Sequence, residues 1–269
     1  MTTVALPSGE TIWYRKQGSG TPLLHIHGSA FGHRNFEKLT PFVAEHFMVI
    51  DFDLPGYGES RGKLGKNMEE IADQVAALIR ALGYERIDIH GTSFGAMIAL
   101  TLAARHPVLV DRLVLSCFLA RYDNAARMMR ATWKRAARES GMDAVADLTS
   151  VAGFARAFYD RPEAQMQLEA MRKAFSQNTP EAFIAGTEAI ERTDLTELIP
   201  LIKAKVLLIA GAEDNMTPFN PAPSGVGFAQ IKDRFADAKL VVLPDCGHYL
   251  VIEQPKLVAD TIRDFLLTC

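Results

Sequence analysis

The sequence predicts an α/β fold: a mostly parallel central sheet with helices on both faces, and an all-helical lid inserted between sheet strands. Three observations predict it. Short apolar runs of strand character alternate with helical runs along most of the 269 residues. A serine stands between glycines in Gly91-Thr92-Ser93-Phe94-Gly95, with a strand-like run before it and a helix-like run after it. The alternation then stops once, from 121 to 200, in a charged, Ala- and Met-rich stretch with no strand pattern.

Taken in order, residues 11–16 and 22–25 bracket the turn Gly18-Ser19-Gly20 and are expected to pair as antiparallel strands. A helix is expected over 36–45. Phe47-Met48-Val49-Ile50-Asp51 follows as an apolar strand, then a helix over 68–82. Residues 86–90 read as the strand before the serine, and the alanine-rich run after it predicts a buried helix over 94–105. Strands are also expected at 113–116, 206–210 and 240–243, and helices at 229–235 and 255–267. Apolar runs buried on both faces belong inside a parallel sheet. Gly141, Arg161-Pro162 and Asn178-Thr179-Pro180 divide the stretch 121–200 into four helices. The chain is therefore read as a core of 1–120 and 201–269 carrying a helical lid of 121–200.

Composition narrows the function. The net charge is −3, with no basic block and no acidic tail, which argues against a nucleic-acid partner. No apolar run approaches about 18 residues, so no membrane span is expected. The chain starts with a polar, mixed segment, and no secretory leader is expected. Cys117, Cys246 and Cys269 are odd in number and lack metal-ligand spacing, which suggests a reduced, cytoplasmic protein.

A serine at a glycine-flanked strand-to-helix turn is pushed out above the sheet, and the residue after it opens a helix with a free N–H. A serine hydroxyl is a poor nucleophile at neutral pH and needs a base held by a carboxylate. The strand 206–210 runs into Gly211-Ala212-Glu213-Asp214, and the strand 240–243 runs into Pro244-Asp245-Cys246-Gly247-His248. Both loops leave the same end of the sheet as Ser93. His248 is the expected base and Asp214 the expected acid. Asp214 is favoured over Glu213, which should point the opposite way, and over Asp245.

These motifs, with His27-Gly28 and Asp53-Leu54-Pro55-Gly56-Tyr57-Gly58-Glu59-Ser60, resemble the α/β-hydrolase fold superfamily over nearly the whole chain. Within it the chain is most similar to the small, helically lidded esterases, lactonases and carbon–carbon bond hydrolases. The resemblance implies an oxyanion hole made by the backbone N–H groups of Ser29 and Phe94. It implies acyl transfer to Ser93, release by water, and no metal or organic cofactor. It disfavours epoxide hydrolases and haloalkane dehalogenases, which use aspartate where this chain has Ser93. His33 and Arg34 follow the oxyanion loop and are candidate substrate contacts, with a surface turn as the alternative. Tyr249 is a further candidate, and Trp133 and Phe154 are expected to wall an apolar pocket. His27 is expected to brace the oxyanion loop and His25 to be a satisfied core residue. Arg127, Arg130, Lys134 and Arg138 read as a solvated face opposite Met129, Trp133 and Ala136, with attraction of an anionic substrate as the alternative.

Two departures from the family pattern stand out. Asp214 and His248 lie 34 positions apart, a long separation filled by the Pro- and Gly-rich loop 219–227. That loop is expected to shape substrate entry or a subunit contact, such as that of a homodimer, unless it is a rigid surface loop. Tyr249 stands where ring-cleavage carbon–carbon hydrolases carry tryptophan, and Ser29-Ala30-Phe31-Gly32 replaces their glycine-rich segment. The sequence therefore points to a small carboxylic ester or lactone as the small-molecule substrate. The alternatives are a carbon–carbon bond hydrolase, a cofactor-free haloperoxidase or perhydrolase, and a non-catalytic ligand receptor on the same fold.

Overall fold

A computed structural model describes residues 2–268 of the chain; the terminal thiol Cys269 lies outside them. Eight strands form one sheet in the order β1-β2-β4-β3-β5-β6-β7-β8. They are β1 (Thr2–Ala5), β2 (Thr11–Gln17), β3 (Pro22–Ile26), β4 (Met48–Phe52), β5 (Ile87–Thr92), β6 (Val110–Ser116), β7 (Lys205–Gly211) and β8 (Ala238–Leu243). The β1–β2 and β2–β4 pairs are antiparallel and every other pair is parallel.

The expected pairing of the first two runs is corrected here. β2 and β3 are not neighbours; β4 lies between them, with Ile50 opposite both Lys16 and Leu24. β4 is buried over Val49–Phe52, whereas β2 is half exposed. The more apolar strand takes the interior position, and the hydrophobic effect overrides pairing of sequence neighbours. The strand β1 was not anticipated; it covers only the outer edge of β2.

Period-two alternation divides the sheet residues between two cores. Leu24, Ile50, Ile89, Leu113, Leu115 and Leu208 face one side, where α2 (Met68–Ala81) and α3 (Phe94–Arg105) pack. Leu23, Val49, Val114, Leu207 and Ile209 face the other, covered by α10 (Pro255–Thr268) and the short α1 (Thr40–Val43). The helix expected over 36–45 is broken into a 3₁₀ turn at Gly32–Phe36 and α1. α3 is buried from Phe94 to Ala103, as an all-round apolar helix must be.

Between β6 and β7 the chain forms α4 (Asn124–Ser140), α5 (Met142–Gly153), α6 (Ala164–Phe175) and α7 (Pro180–Arg192), with breaks at the three predicted places. Asp123 and Thr179 cap α4 and α7 by accepting from Ala126 N and Ala182 N. After β7 come α8 (Phe228–Ile231) and, beyond β8, α9 (Leu250–Glu253). The loop 219–227 is tied to the start of the lid: Asp123 Oδ2 accepts from Ala222 N at 2.9 Å, and Arg121 bridges to Val226. No helix among the described residues is long and apolar enough to cross a membrane.

One close approach places the serine loop. A Cβ at Gly95 would fall on the carbonyl oxygen of Ile26 in β3, so α3 rests directly on the sheet backbone. Gly95→Ala is expected to cost at least about 2 kcal/mol by overpacking, read as a lower urea midpoint. Unchanged stability would mean that α3 sits farther from β3.

Candidate active site

Ser93 joins β5 to α3 with φ 55° and ψ −117°, a left-handed conformation that a non-glycine residue rarely adopts. The bend is held by Ser93 N donating to Ser116 O at 2.8 Å and by Gly91, where a Cβ would collide with Gly95 O. It lifts Oγ above the carboxyl end of the sheet, where β7 and β8 also deliver their loops.

There Ser93 Oγ lies 3.0 Å from His248 Nε2, and His248 Nδ1 lies 2.9 Å from Asp214 Oδ2. All three are at least nine-tenths buried. Asp214 accepts from Met216 N and Thr217 N through Oδ1, each at 2.8 Å, and from Thr217 Oγ1 through Oδ2 at 2.6 Å. Burial works against its charge, but the partial charge of His248 and the bonds from His248 and Thr217 outweigh it. The carboxyl is held below the usual carboxylate range. An ionised acceptor requires the proton of His248 on Nδ1, which leaves Nε2 free to accept from Ser93. Glu213 turns away and accepts from Arg156 N at 3.2 Å, and Asp245 is exposed.

Cys117 Sγ, Asp214 and His248 offer ligand atoms within 4.8 Å of one another. They make a poor cation site. Burial pushes the Cys117 thiol well up, so it keeps its proton, and Asp214 is already committed to His248 and Thr217.

Ser29 lines the cavity beside Ser93, and Phe94 follows Ser93 in the chain. Phe94 is the first residue of α3, so no preceding turn accepts its N–H. The Ser29 loop is shaped by two side chains. Asn35 Oδ1 accepts from Gly28 N at 2.8 Å. His27 Nε2 accepts from Leu54 N at 3.0 Å, so its Nδ1 carries the proton donated to Gly28 O at 2.8 Å. Burial lowers the His27 pKa, consistent with that neutral form.

The loop after β4 has a structural task. Asp53 accepts from His33 N at 2.6 Å and Glu59 N at 2.9 Å, and pairs with His33 Nδ1 at 3.0 Å. A Cβ at Gly58 would occupy the place of the Asp53 carboxylate. Asn178, ahead of α7, accepts from Gly58 N at 3.0 Å and donates to Ala30 O at 2.7 Å, fastening the lid to both loops.

A narrow cavity opens at Ser93 and His248. Trp133 and Tyr249 line it as anticipated, with Phe31, Phe175, Phe183, Met216 and Val251 making it apolar. His33, Arg34 and Phe154 do not line it. His33 is consumed by Asp53 and stacks on Trp13 with ring centroids 4.1 Å apart. Arg34 binds Gln177 and Glu37 outside. Phe154 stands one layer back, against Tyr249 at 4.8 Å. Asn35 and Thr149, the polar wall residues that the sequence left unmarked, lie in segments without motif character. His25 is half satisfied: Nδ1 pairs with Asp51 at 2.9 Å, while Nε2 has no partner among the described residues.

The reading of the lid cations needs one correction. Arg130 is buried in the stripe Ala126, Arg130, Trp133 and Ala137 that α4 turns inward. Phase along the helix decides its side, and the charge follows.

The sequence model of the alpha/beta hydrolase fold family matches residues 21–255. The pimeloyl-[acyl-carrier protein] methyl ester esterase of Aromatoleum aromaticum is 30% identical over 90% of this chain and 96% of its own. The 2-hydroxymuconate semialdehyde hydrolase of a Pseudomonas species is 29% identical, over 93% of this chain and 88% of that protein. The enol-lactonase of Burkholderia xenovorans LB400 superposes with a TM-score of 0.88 at 25% identity, over 99% of this chain and 100% of that one.

The histidine loop also carries a pH dependence. Glu253 at the end of α9 accepts from Gly247 N at 2.9 Å and from Ala155 N at 3.1 Å, joining the loop of His248 to the lid. Burial outweighs these two bonds and the nearby Arg161, and its pKa is pushed up to about 7 from 4.5. Between those values the folded chain binds a proton that the unfolded chain has released, so stability falls as pH rises. Relative to Glu253→Gln, the wild type should lose stability between about pH 5 and about pH 8, with the loss levelling off above about 7. Chemical denaturation at several pH values checks this, and a flat difference would refute it.

Proposed function

This chain belongs to the alpha/beta hydrolase fold family, and from that premise we propose that it is a serine hydrolase cleaving a small carboxylic ester or lactone through an acyl-enzyme on Ser93. The observation that supports the reading is the unbroken chain from Ser93 Oγ to His248, 3.0 Å, and from His248 to Asp214, 2.9 Å, beneath an apolar cavity.

Ser93 Oγ attacks the carbonyl carbon while its proton passes to His248 Nε2. Asp214 holds the Nδ1–H and stabilises the imidazolium that forms. The Ser29 and Phe94 amides donate to the developing oxyanion, each worth roughly a hundredfold or more in rate. Collapse of the tetrahedral intermediate breaks the carbon–oxygen bond, and His248 returns its proton to the departing alkoxide. In a lactone that alcohol stays attached to the acyl group. Water, deprotonated by His248, then attacks the acyl carbonyl and frees Ser93. The lid over the cavity excludes bulk water and selects the acyl portion.

Esterase and lactonase relatives favour this reading. Carbon–carbon bond hydrolysis is the second reading, favoured by the 2-hydroxymuconate semialdehyde hydrolase relative and served by the same three side chains. A panel of p-nitrophenyl esters of graded acyl length, run beside enol-lactones and dienoate diketones, separates the two.

A fluorophosphonate probe should form an adduct on Ser93, and Ser93→Ala should lose both the adduct and roughly 10⁴-fold or more of the turnover while remaining folded. Labelling failure in a folded sample would favour a binding protein instead. Asp214→Asn should lower kcat by about 10⁴-fold by imposing the wrong tautomer on His248. If Glu213→Gln has that effect and Asp214→Asn does not, the acid assignment falls.

A further inference from the structure

Arg130 is buried to 2% exposure on α4, one turn before the cavity residue Trp133. Its Nη2 donates to Tyr122 Oη at 2.7 Å, and the guanidinium carbon lies 4.4 Å from the Tyr122 ring centre and 5.6 Å from that of Trp133. Nε and Nη1 have no partner, and among the described residues no carboxylate pairs with it. The neighbouring lid cations are accounted for: Arg127 donates to Glu191 O at 2.7 Å and Lys134 pairs with the Glu191 carboxylate at 2.7 Å.

A buried guanidinium cannot shed its proton, and leaving its charge and N–H groups unpaired is costly. Its five N–H groups form two edges, each with two donors. Tyr122 takes a single N–H of Nη2, so one edge remains whole for a bidentate carboxylate.

The surroundings adjoin the cavity at Ser93 through Trp133 and Phe183. α4 and α7 run antiparallel, with Arg127 against Glu191, and Ala137 beside Ile184 in a surface groove. Trp133 on α4 and Phe183 on α7 both wall the cavity. One turn back along α4 lies Arg130, and one turn on along α7 lies Thr187, steps in the same direction along the pair. The Thr187 hydroxyl is buried and also without a partner. Two unpaired polar groups thus stand just past the apolar wall. Burial pushes the Tyr249 phenol up, and the Arg130 charge opposes it, so that charge reaches a side chain of the cavity itself.

We propose that Arg130, with Thr187 beside it, anchors a carboxylate at the far end of the substrate's acyl portion. The preferred substrate is then a monoester of a small dicarboxylic acid, or a lactone that bears a carboxylate. This rests on the serine-hydrolase reading for its chemistry, whereas the anion site stands on Arg130 alone. Neither Arg130 nor Thr187 lines the cavity at Ser93 directly. The proposal requires the Trp133 side chain, which walls the cavity and lies 5.6 Å from the Arg130 guanidinium, to turn aside and admit the carboxylate.

The test compares kcat/KM for the p-nitrophenyl monoesters of succinate, glutarate and adipate with that for uncharged esters of matched length. Wild type, Arg130→Met and Arg130→Lys are assayed, and calorimetry measures binding of free glutarate and adipate. The charged-to-neutral ratio should fall roughly 100-fold in Arg130→Met and by less in Arg130→Lys, which keeps the charge and loses the fork. A free dicarboxylate should bind the wild type and not Arg130→Met. Circular dichroism reports whether each variant is folded; should the methionine variant fail to fold, Arg130→Lys carries the comparison. A ratio unchanged in the folded variants, with no dicarboxylate bound, overturns the anion site and leaves the serine chemistry standing. Dicarboxylate binding lost on Arg130→Met, with no ester turned over and no adduct on Ser93, would instead uphold the anion site and overturn the hydrolase reading.

Discussion

The backbone bend at Ser93 is the constraint on which the rest of the molecule depends. A side chain held at φ 55° is uphill of the ordinary regions, and the surroundings must over-determine it. Here they do so through contact of α3 with the carbonyl of Ile26 and through the hydrogen bond that Ser93 N donates to Ser116 O. The same contact sets the distance between the serine and the loop after β3, because Ile26 is the last residue of that strand. One close approach therefore positions the hydroxyl and the Ser29 amide together. The apolar burial of α3 supplies the energy that keeps the bend in place.

The loops at the carboxyl edge of the sheet are held by carboxylates and amides accepting from backbone N–H groups. Asp53 gathers the His33 and Glu59 amides, Glu253 gathers those of Gly247 and Ala155, and Asp214 gathers those of Met216 and Thr217. Loops lack a hydrogen-bonded ladder of their own, and a buried amide without an acceptor is expensive. Asp53 and Glu253 each join amides of two separate segments, and Asp214 closes its own turn, which fixes the loops and answers that cost. Asn178 and Glu253 extend the arrangement into the helices between β6 and β7, so those helices and the loops at the carboxyl edge share polar ties as well as the apolar cluster around Phe31, Trp133 and Tyr249.

The lid shows how far a charge pattern can mislead. Four cations at helical spacing suggest a wet face, yet α4 turns Arg130 inward with Trp133 and Ala137. A single arginine in an otherwise apolar stripe follows the stripe when its neighbours supply an aromatic surface, as Tyr122 and Trp133 do. The same principle acts in reverse at His33. A polar residue shortly after the Ser29 loop turns away from the cavity because Asp53 is there to receive it.

The sequence by itself determined the alternation of strands and helices, the breaks between the lid helices, and the chain order of Ser93, Asp214 and His248. These are local matters: apolar period, glycine and proline position, and the rule that loops after parallel strands share one edge. It did not determine that β4 would part β2 from β3, nor that His33, Arg34 and Phe154 would stand outside the cavity. Asn35, Thr149, Glu253 and the buried Arg130 were likewise legible only once the chain was folded. Their partners lie far away in the sequence, and no pattern along the chain records which carboxylate, ring or amide will arrive beside them. Tertiary packing decides that, because it fixes which polar groups must be satisfied by one another and which are left to meet a ligand.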